Sequence, residues 1–263
     1  MKGTCQLTGL HGAFVNAHII PKALTKPSVK GNYFIQTRRG ERPSRRWSSW
    51  YDKRLVTRAG ENILEGLDAW AIATLRKNLL IWSGWGDRVS IRELLDEVPG
   101  TYLGIRALTG VDGLRLRLFL LSLLWRAAVS ARQEFSEIAL SGDDIERLRM
   151  MIVTGNADPL CFYPAILTQL STRGPSHNQT PIPDTKVIPA TAQNPERTLQ
   201  TYRFYFDGLI VHMLRPPSDG EAALPLGPMI VGHCPDLLLS AVSYETSLQQ
   251  LELEAAIFET DFA

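Results

Sequence analysis

The sequence predicts an α+β protein: a small, basic N-terminal ββα module packed on a mainly helical body, with a C-terminal antiparallel sheet. Three observations carry this. Short runs containing Leu, Phe, Val and Ile, bracketed by glycines, open the chain; two long apolar segments follow; and two strand-like runs flank Asp207-Gly208 near the end. The division falls at residues 1–82 for the basic module with the first long helix, and at 83–263 for the helical body with its C-terminal β elements.

Taken in order, Lys2 to Leu10 and Gly12 to Ile20 form two short strands around the Gly9–Gly12 turn. Pro21 ends the second, and Lys22 to Thr25 fits one helical turn before Pro27. From Ala59 to about Ile81, Ile63, Leu64, Leu67, Trp70, Ala71, Leu75 and Leu79 recur at helical spacing, which predicts an amphipathic helix. Ser90 and Glu93 have the spacing of a capping box and predict a helix over Ile91 to Val98, stopped by Pro99-Gly100.

Leu114 to Phe135 is apolar on nearly every side, the pattern of a central buried helix. Arg117 and Arg126 interrupt it, and it falls short of the roughly 20 residues that span a bilayer. Ser141-Gly-Asp-Asp supplies an acidic first turn to a helix over Ile145 to Ile152. Leu160 to Leu170 fits strand or helix, and Ser171 to Pro195, rich in Pro, Thr and Asn, reads as a surface connection. Thr201 to Phe206 and Leu209 to Leu214 are hairpin strands joined by Asp207-Gly208. Met229 to Val231 fits a further strand, and Thr246 to Phe258 a strand or an acidic helix.

Composition narrows the function. Hydrophobic residues make up 44% and charged residues 21%, which argues against disorder and against membrane residence. The start of the chain lacks the apolar stretch of a secretory signal, and three widely spaced cysteines form no C-x-x-C pair, so a reducing cytoplasm is expected. The net charge of +1 conceals an asymmetry: residues 1–60 hold 12 Lys and Arg against two acids, and the remainder is acidic by nine charges. The basic end is the candidate surface for a polyanion. The acidic body offers a face to a protein partner or a second copy of the chain.

Within the basic end, Arg38, Arg39, Arg45, Arg46, Lys53 and Arg54 are interleaved with Trp47, Trp50 and Tyr51. Cations neutralise phosphates and aromatic faces stack on bases, so this run is the candidate nucleic-acid contact. A solvated loop, or tryptophans anchoring the module to the first helix, is the competing reading. No P-loop, G-x-G-x-x-G, G-x-S-x-G or H-E-x-x-H pattern is present, which leaves nucleotide hydrolysis, Rossmann cofactors, serine hydrolysis and metalloproteolysis without support.

The most specific stretch runs from Cys5 to Glu61: Cys5-Gln-Leu-Thr8, then Ala17-His18-Ile-Ile-Pro21-Lys22, then Leu55-Val-Thr57-Arg-Ala-Gly60-Glu61. It resembles a group of bacterial HNH-endonuclease-like proteins with a C-x-x-C, a Ser-His-Ile-Ile-Pro-Lys stretch, and a Leu-Leu-Cys-x-x-Cys-Glu stretch opening a helix. Leu118 to Ala127 looks like the helix that follows the motif there, which extends the likeness to about Ile152. Cys5 matches the first cysteine, whereas Thr8, Thr57 and Gly60 stand at the other three, so no structural zinc is expected. The resemblance implies an HNH-like ββα module and phosphodiester hydrolysis, with His18 as general base and Mg or Mn held by His18 and Glu61. Ala17 stands where an active site carries a ligand, and His11, Asn16, Asn32 and Asn62 are secondary candidates. The alternative is a catalytically inactive HNH scaffold that serves as a nucleic-acid or protein interaction module.

Overall fold

In a computed structural model of the chain, residues 1–26, 33–38, 41–99, 103–188, 190, 196–216 and 227–261 are described. The N-terminal elements are β1 (Lys2–Thr4), β2 (His11–Ala13), β3 (Ala17–His18), α1 (Lys22–Thr25), β4 (Phe34–Arg38), β5 (Glu41–Arg46), β6 (Tyr51–Asp52) and α2 (Arg58–Lys77). Then come β7 (Asp96–Glu97), β8 (Leu103–Leu108), α3 (Gly113–Val129), α4 (Gly142–Thr154), β9 (Ala165–Leu170), β10 (His177–Ile188), β11 (Arg197–Phe206), β12 (Leu209–Leu214), β13 (Leu237–Val242) and α5 (Leu248–Asp261).

The expectation of a mainly helical body is overturned. The dominant element is a nine-stranded sheet in the order β5-β4-β10-β11-β12-β9-β13-β8-β7. Nor is that sheet purely antiparallel or C-terminal, because β4 runs parallel to β10, β13 runs parallel to β9, and the hairpin β4–β5 comes from the basic N-terminal region. The strand pairing between β4 and β10 crosses residue 82.

Side-chain alternation explains how the sheet is covered. On β11 and β12, Tyr202, Phe204, Phe206, Leu209, Val211 and Met213 point to the face that α3 fills, and they share its core. The opposite face holds a smaller cluster around Trp82, Trp85, Tyr205, Ile210 and Tyr244. α3 is buried from Leu116 to Ala127, which accounts for its apolar character on every side. Burying each of its leucines contributes about 1.5–3 kcal/mol. Asp112 caps its N-terminus by accepting from the Arg115 N–H at 2.9 Å. Cys5, Leu7, Ile19, Ile20, Trp50, Leu55 and Val56 belong to that same core, so the N-terminal elements are buried against α2 and α3.

Several local expectations change. Ser90 starts no α-helix: its Oγ accepts from the Arg92 N–H at 3.1 Å in a tight turn, and a single 3-10 turn leads into β7. The Pro-rich stretch taken for a surface connection contains β10. Its prolines are accommodated because, among the described residues, β4 pairs with His177 to Gln179, and the register with β11 shifts between Gln179 and Ile182. Pro181 lies in that shift and Pro183 beyond the reach of β4, the edge and bulge positions where a missing N–H costs least. Met229 to Val231 supplies only the bridge between Ile230 and Ile166. No helix of the described residues is long and apolar enough to cross a membrane.

Candidate functional site

The cysteine-motif positions come together. Residues 5–10 form a tight turn in which the Gly9 N–H donates to the Cys5 carbonyl and the Thr8 N–H lies 3.4 Å from Cys5 Sγ. Gly60, in the first turn of α2, is so close that a β-carbon there would lie 2.6 Å from Cys5 Sγ. Burial raises the Cys5 thiol pKa, but hydrogen bonds from the Thr8 and Thr57 hydroxyls and N–H groups outweigh it and leave the thiol lowered. Cys5, Thr8, Thr57 and Gly60 therefore meet, and the cluster is held by hydrogen bonds and packing with a single thiol.

His18 ends β3, whose partner is β6, with His18 opposite Tyr51 and their rings edge to face at 6.4 Å. Chain order from β3 through β6 to α2 is strand, strand, helix, and α1, β4 and β5 are inserted between the two strands. Two ties fix this unit to α3. The buried Asp52 carboxylate accepts from Ser130 Oγ at 2.9 Å and from the Ala131 N–H at 3.2 Å. Arg126, 1% exposed, donates to the His18 carbonyl at 3.2 Å and to both carboxylate oxygens of Asp68, at 2.9 and 2.6 Å.

Asp68 and Arg126 are functional candidates that motif reading missed. The signal for Asp68 is its place seven residues after Glu61, two turns along the same helix face. For Arg126 it is a cation within a continuous apolar run, which must find a counter-charge when buried.

His18 and Glu61 share these two neighbours. His18 is half-buried, and its pKa is lowered by desolvation, then by Lys22 and Arg126, with Asp68 opposing. The imidazole is accordingly neutral at neutral pH, the protonation state a base requires. Glu61, also half-buried, has its pKa raised by desolvation and by Asp68 and Glu65, with Arg126 and Arg58 opposing.

Both Asp68 oxygens already accept from a guanidinium, and among the described residues no three His, Cys, Asp or Glu side chains converge. His11, Asn16 and Asn62 are exposed, and Asn32 lies outside the described residues.

The basic run forms the outer hairpin of the large sheet. On β5, Arg42, Ser44 and Arg46 line a groove of about 390 Å³ together with Gln36, Arg38 and Glu134. Arg38 is committed there: it pairs with Glu41 and donates to the Gln133 carbonyl at 2.8 Å. Arg45 sits 4.6 Å over the Tyr33 ring, and Tyr33 meets Trp47 edge to face at 6.2 Å. Trp47 is 63% exposed, whereas Trp50 is buried with its ring edge to face on Phe135, in the turn that follows α3. Lys53 and Arg54 are exposed beyond β6, with Lys53 Nζ 5.9 Å over the Tyr51 ring. Arg39 lies outside the described residues.

Comparison of the chain with protein-family models, with curated proteins and with solved structures finds no match.

Proposed function

We propose that this protein binds nucleic acid through the β4–β5 hairpin and the segment after β6, on an HNH-like scaffold. The carrying observation is the exposed set of Arg42, Arg45, Arg46, Trp47, Lys53 and Arg54, which combines exposed cations with an exposed indole along one connected stretch. Phosphate neutralisation and base stacking need these two chemistries side by side. The strand-strand-helix order around His18 and the meeting of Cys5, Thr8, Thr57 and Gly60 support the HNH-like reading of the scaffold. In that scaffold Arg126 supplies a fixed positive charge to the helix carboxylate Asp68.

The reading is tested by fluorescence anisotropy with single-stranded DNA, duplex DNA and RNA at about 50 mM salt. Binding that weakens as salt rises, and weakens further in Arg45→Ala with Arg46→Ala, is the expected result. Absence of binding to all three at that salt overturns the proposal. In parallel, supercoiled plasmid is incubated with Mg or Mn. Metal-dependent nicking that disappears in His18→Ala would replace the binding reading with hydrolysis by His18.

A further inference from the structure

A second basic site lies away from the β5 hairpin, where the C-terminal end of α2 meets the sheet. A pocket of about 440 Å³ is lined by Lys26, Arg76, Ser83, Arg173, Ser176 and Asp207. That volume is within the range of small-molecule sites and is ample for a nucleotide-sized ligand. Its lining holds three cations against one carboxylate.

Neutral groups hold the two arginines in place. Arg76 donates from Nε to Ser83 Oγ at 3.1 Å and from Nη2 to the Ala23 carbonyl at 3.2 Å. Arg173 donates from Nη2 to the carbonyls of Trp82 and Gly86, each at 3.1 Å. Among the described residues, no carboxylate lies within ion-pairing distance of Arg76, Arg173 or Lys26. A guanidinium carries five N–H donors, so both arginines are oriented while most of their donors stay uncommitted; their charges act on Asp207 only at longer range, and Arg173 lies 5.8 Å over the Trp85 ring. The single acid, Asp207, is drawn back by accepting from the Ser83 N–H at 3.1 Å. Ser83 and Ser176 add hydroxyls at the rim.

The geometry points to a binding site for a phosphate monoester of nucleotide size, gripped by Arg76 and Arg173 with Lys26 as the third positive charge. This site does not depend on the hairpin. The phosphate comes either from a free nucleotide or from the 5′ end of a strand.

Isothermal titration calorimetry tests the site with adenosine 5′-monophosphate, adenosine and inorganic phosphate. It is repeated with two short oligonucleotides that differ only in a 5′-phosphate, these last with the Arg45→Ala, Arg46→Ala protein. The monophosphate is expected to bind and adenosine not, with affinity falling at least about tenfold in Arg173→Gln, as loss of charged hydrogen bonds implies. Lys26→Gln removes an exposed side chain without packing loss, so it leaves the thermal midpoint unchanged and still weakens binding. A preference for the 5′-phosphorylated strand that Arg173→Gln abolishes assigns the strand end as the source. Equal binding of both strands together with no monophosphate binding overturns the site. So does monophosphate binding that neither variant changes. A failure of the hairpin variants to bind nucleic acid leaves the monophosphate result untouched, so the two readings fail separately.

Discussion

Arg126 on α3 donates to both carboxylate oxygens of Asp68 on α2, at 2.9 and 2.6 Å, while its Nη1 also reaches the His18 carbonyl at 3.2 Å. One buried guanidinium thus ties the helix carboxylate to the strand that carries the candidate base. Removing one member strands the other charge, and Arg126 is the more costly one to strand because it is 1% exposed against 17% for the Asp68 side chain. Asp68→Asn is therefore expected to destabilise the fold by about 2–4 kcal/mol in urea titration, the lower part of the range reflecting Asp68's partial exposure. The paired change Arg126→Met with Asp68→Leu should recover part of that loss. If Asp68→Asn leaves the urea midpoint unmoved, the ion pair does not hold the scaffold.

The Cys5 cluster makes a packing prediction. A β-carbon at Gly60 would meet Cys5 Sγ at 2.6 Å and Val56 Cβ at 3.0 Å, both closer than ordinary contact. Gly60→Ala should lower stability by about 1–3 kcal/mol through overpacking, despite the better helix propensity of alanine. Cys5→Ala in the same chain removes the closer of the two clashes and should relieve part of the loss. Thr8→Cys, Thr57→Cys and Gly60→Cys together with Cys5 should bind cobalt, with thiolate absorbance that the wild type lacks. A cobalt-silent four-cysteine variant that remains folded would show that the four positions do not reach tetrahedral geometry.

Buried titratable groups give the stability a pH profile. Burial lowers His177 to about 4 and His212 to about 3, from an ordinary value of 6.5. Between pH 6.5 and 4 the unfolded chain takes up protons at both histidines that the folded chain does not, so stability is lost as pH falls through that window. Asp207 works in the opposite direction: burial raises it from 3.8 to about 6, so the folded state gains relative stability as pH falls from 6 to 4. Two histidines outweigh one aspartate, and the urea midpoint should be lower at pH 5 than at pH 7. Asp207→Asn should raise stability at pH 7, where the buried carboxylate is ionised, by about 1–3 kcal/mol, and steepen the decline toward pH 5. Asn also suits the left-handed backbone at this turn residue, φ 51°. Equal pH profiles for the variant and the wild type would remove Asp207 from this account.

Local signals with a strong period were legible. The apolar stripe of α2, the all-round apolar α3, the acidic first turn of α4 and the Asp207-Gly208 hairpin follow the sequence closely. The sheet was not legible, for reasons visible in single strands. β10 carries Pro181 and Pro183, tolerated only because its neighbours pair incompletely there, and β5 reads Glu-Arg-Pro-Ser-Arg-Arg, with no apolar alternation because it lies at the edge of the sheet. At the site, His18 and Glu61 were visible by motif, whereas the Asp68–Arg126 pair joins residues on two helices and becomes evident only once α2 and α3 pack.

The β5 hairpin separates charge from stacking, and the two can be measured apart. Successive strand residues point to opposite faces, so Arg46 lies on the groove face with Arg42, while Arg45 joins Tyr33, whose ring in turn meets Trp47. Arg46→Ala should reduce the slope of log affinity against log salt by about 1 for single and double strands alike. Trp47→Ala should leave the slope unchanged and weaken single-stranded binding by about 1–3 kcal/mol, because only unpaired bases offer a face to the exposed indole. Duplex affinity should change little. A Trp47→Ala protein that holds single strands as tightly as the wild type would confine the interface to the groove face, with phosphate contacts alone.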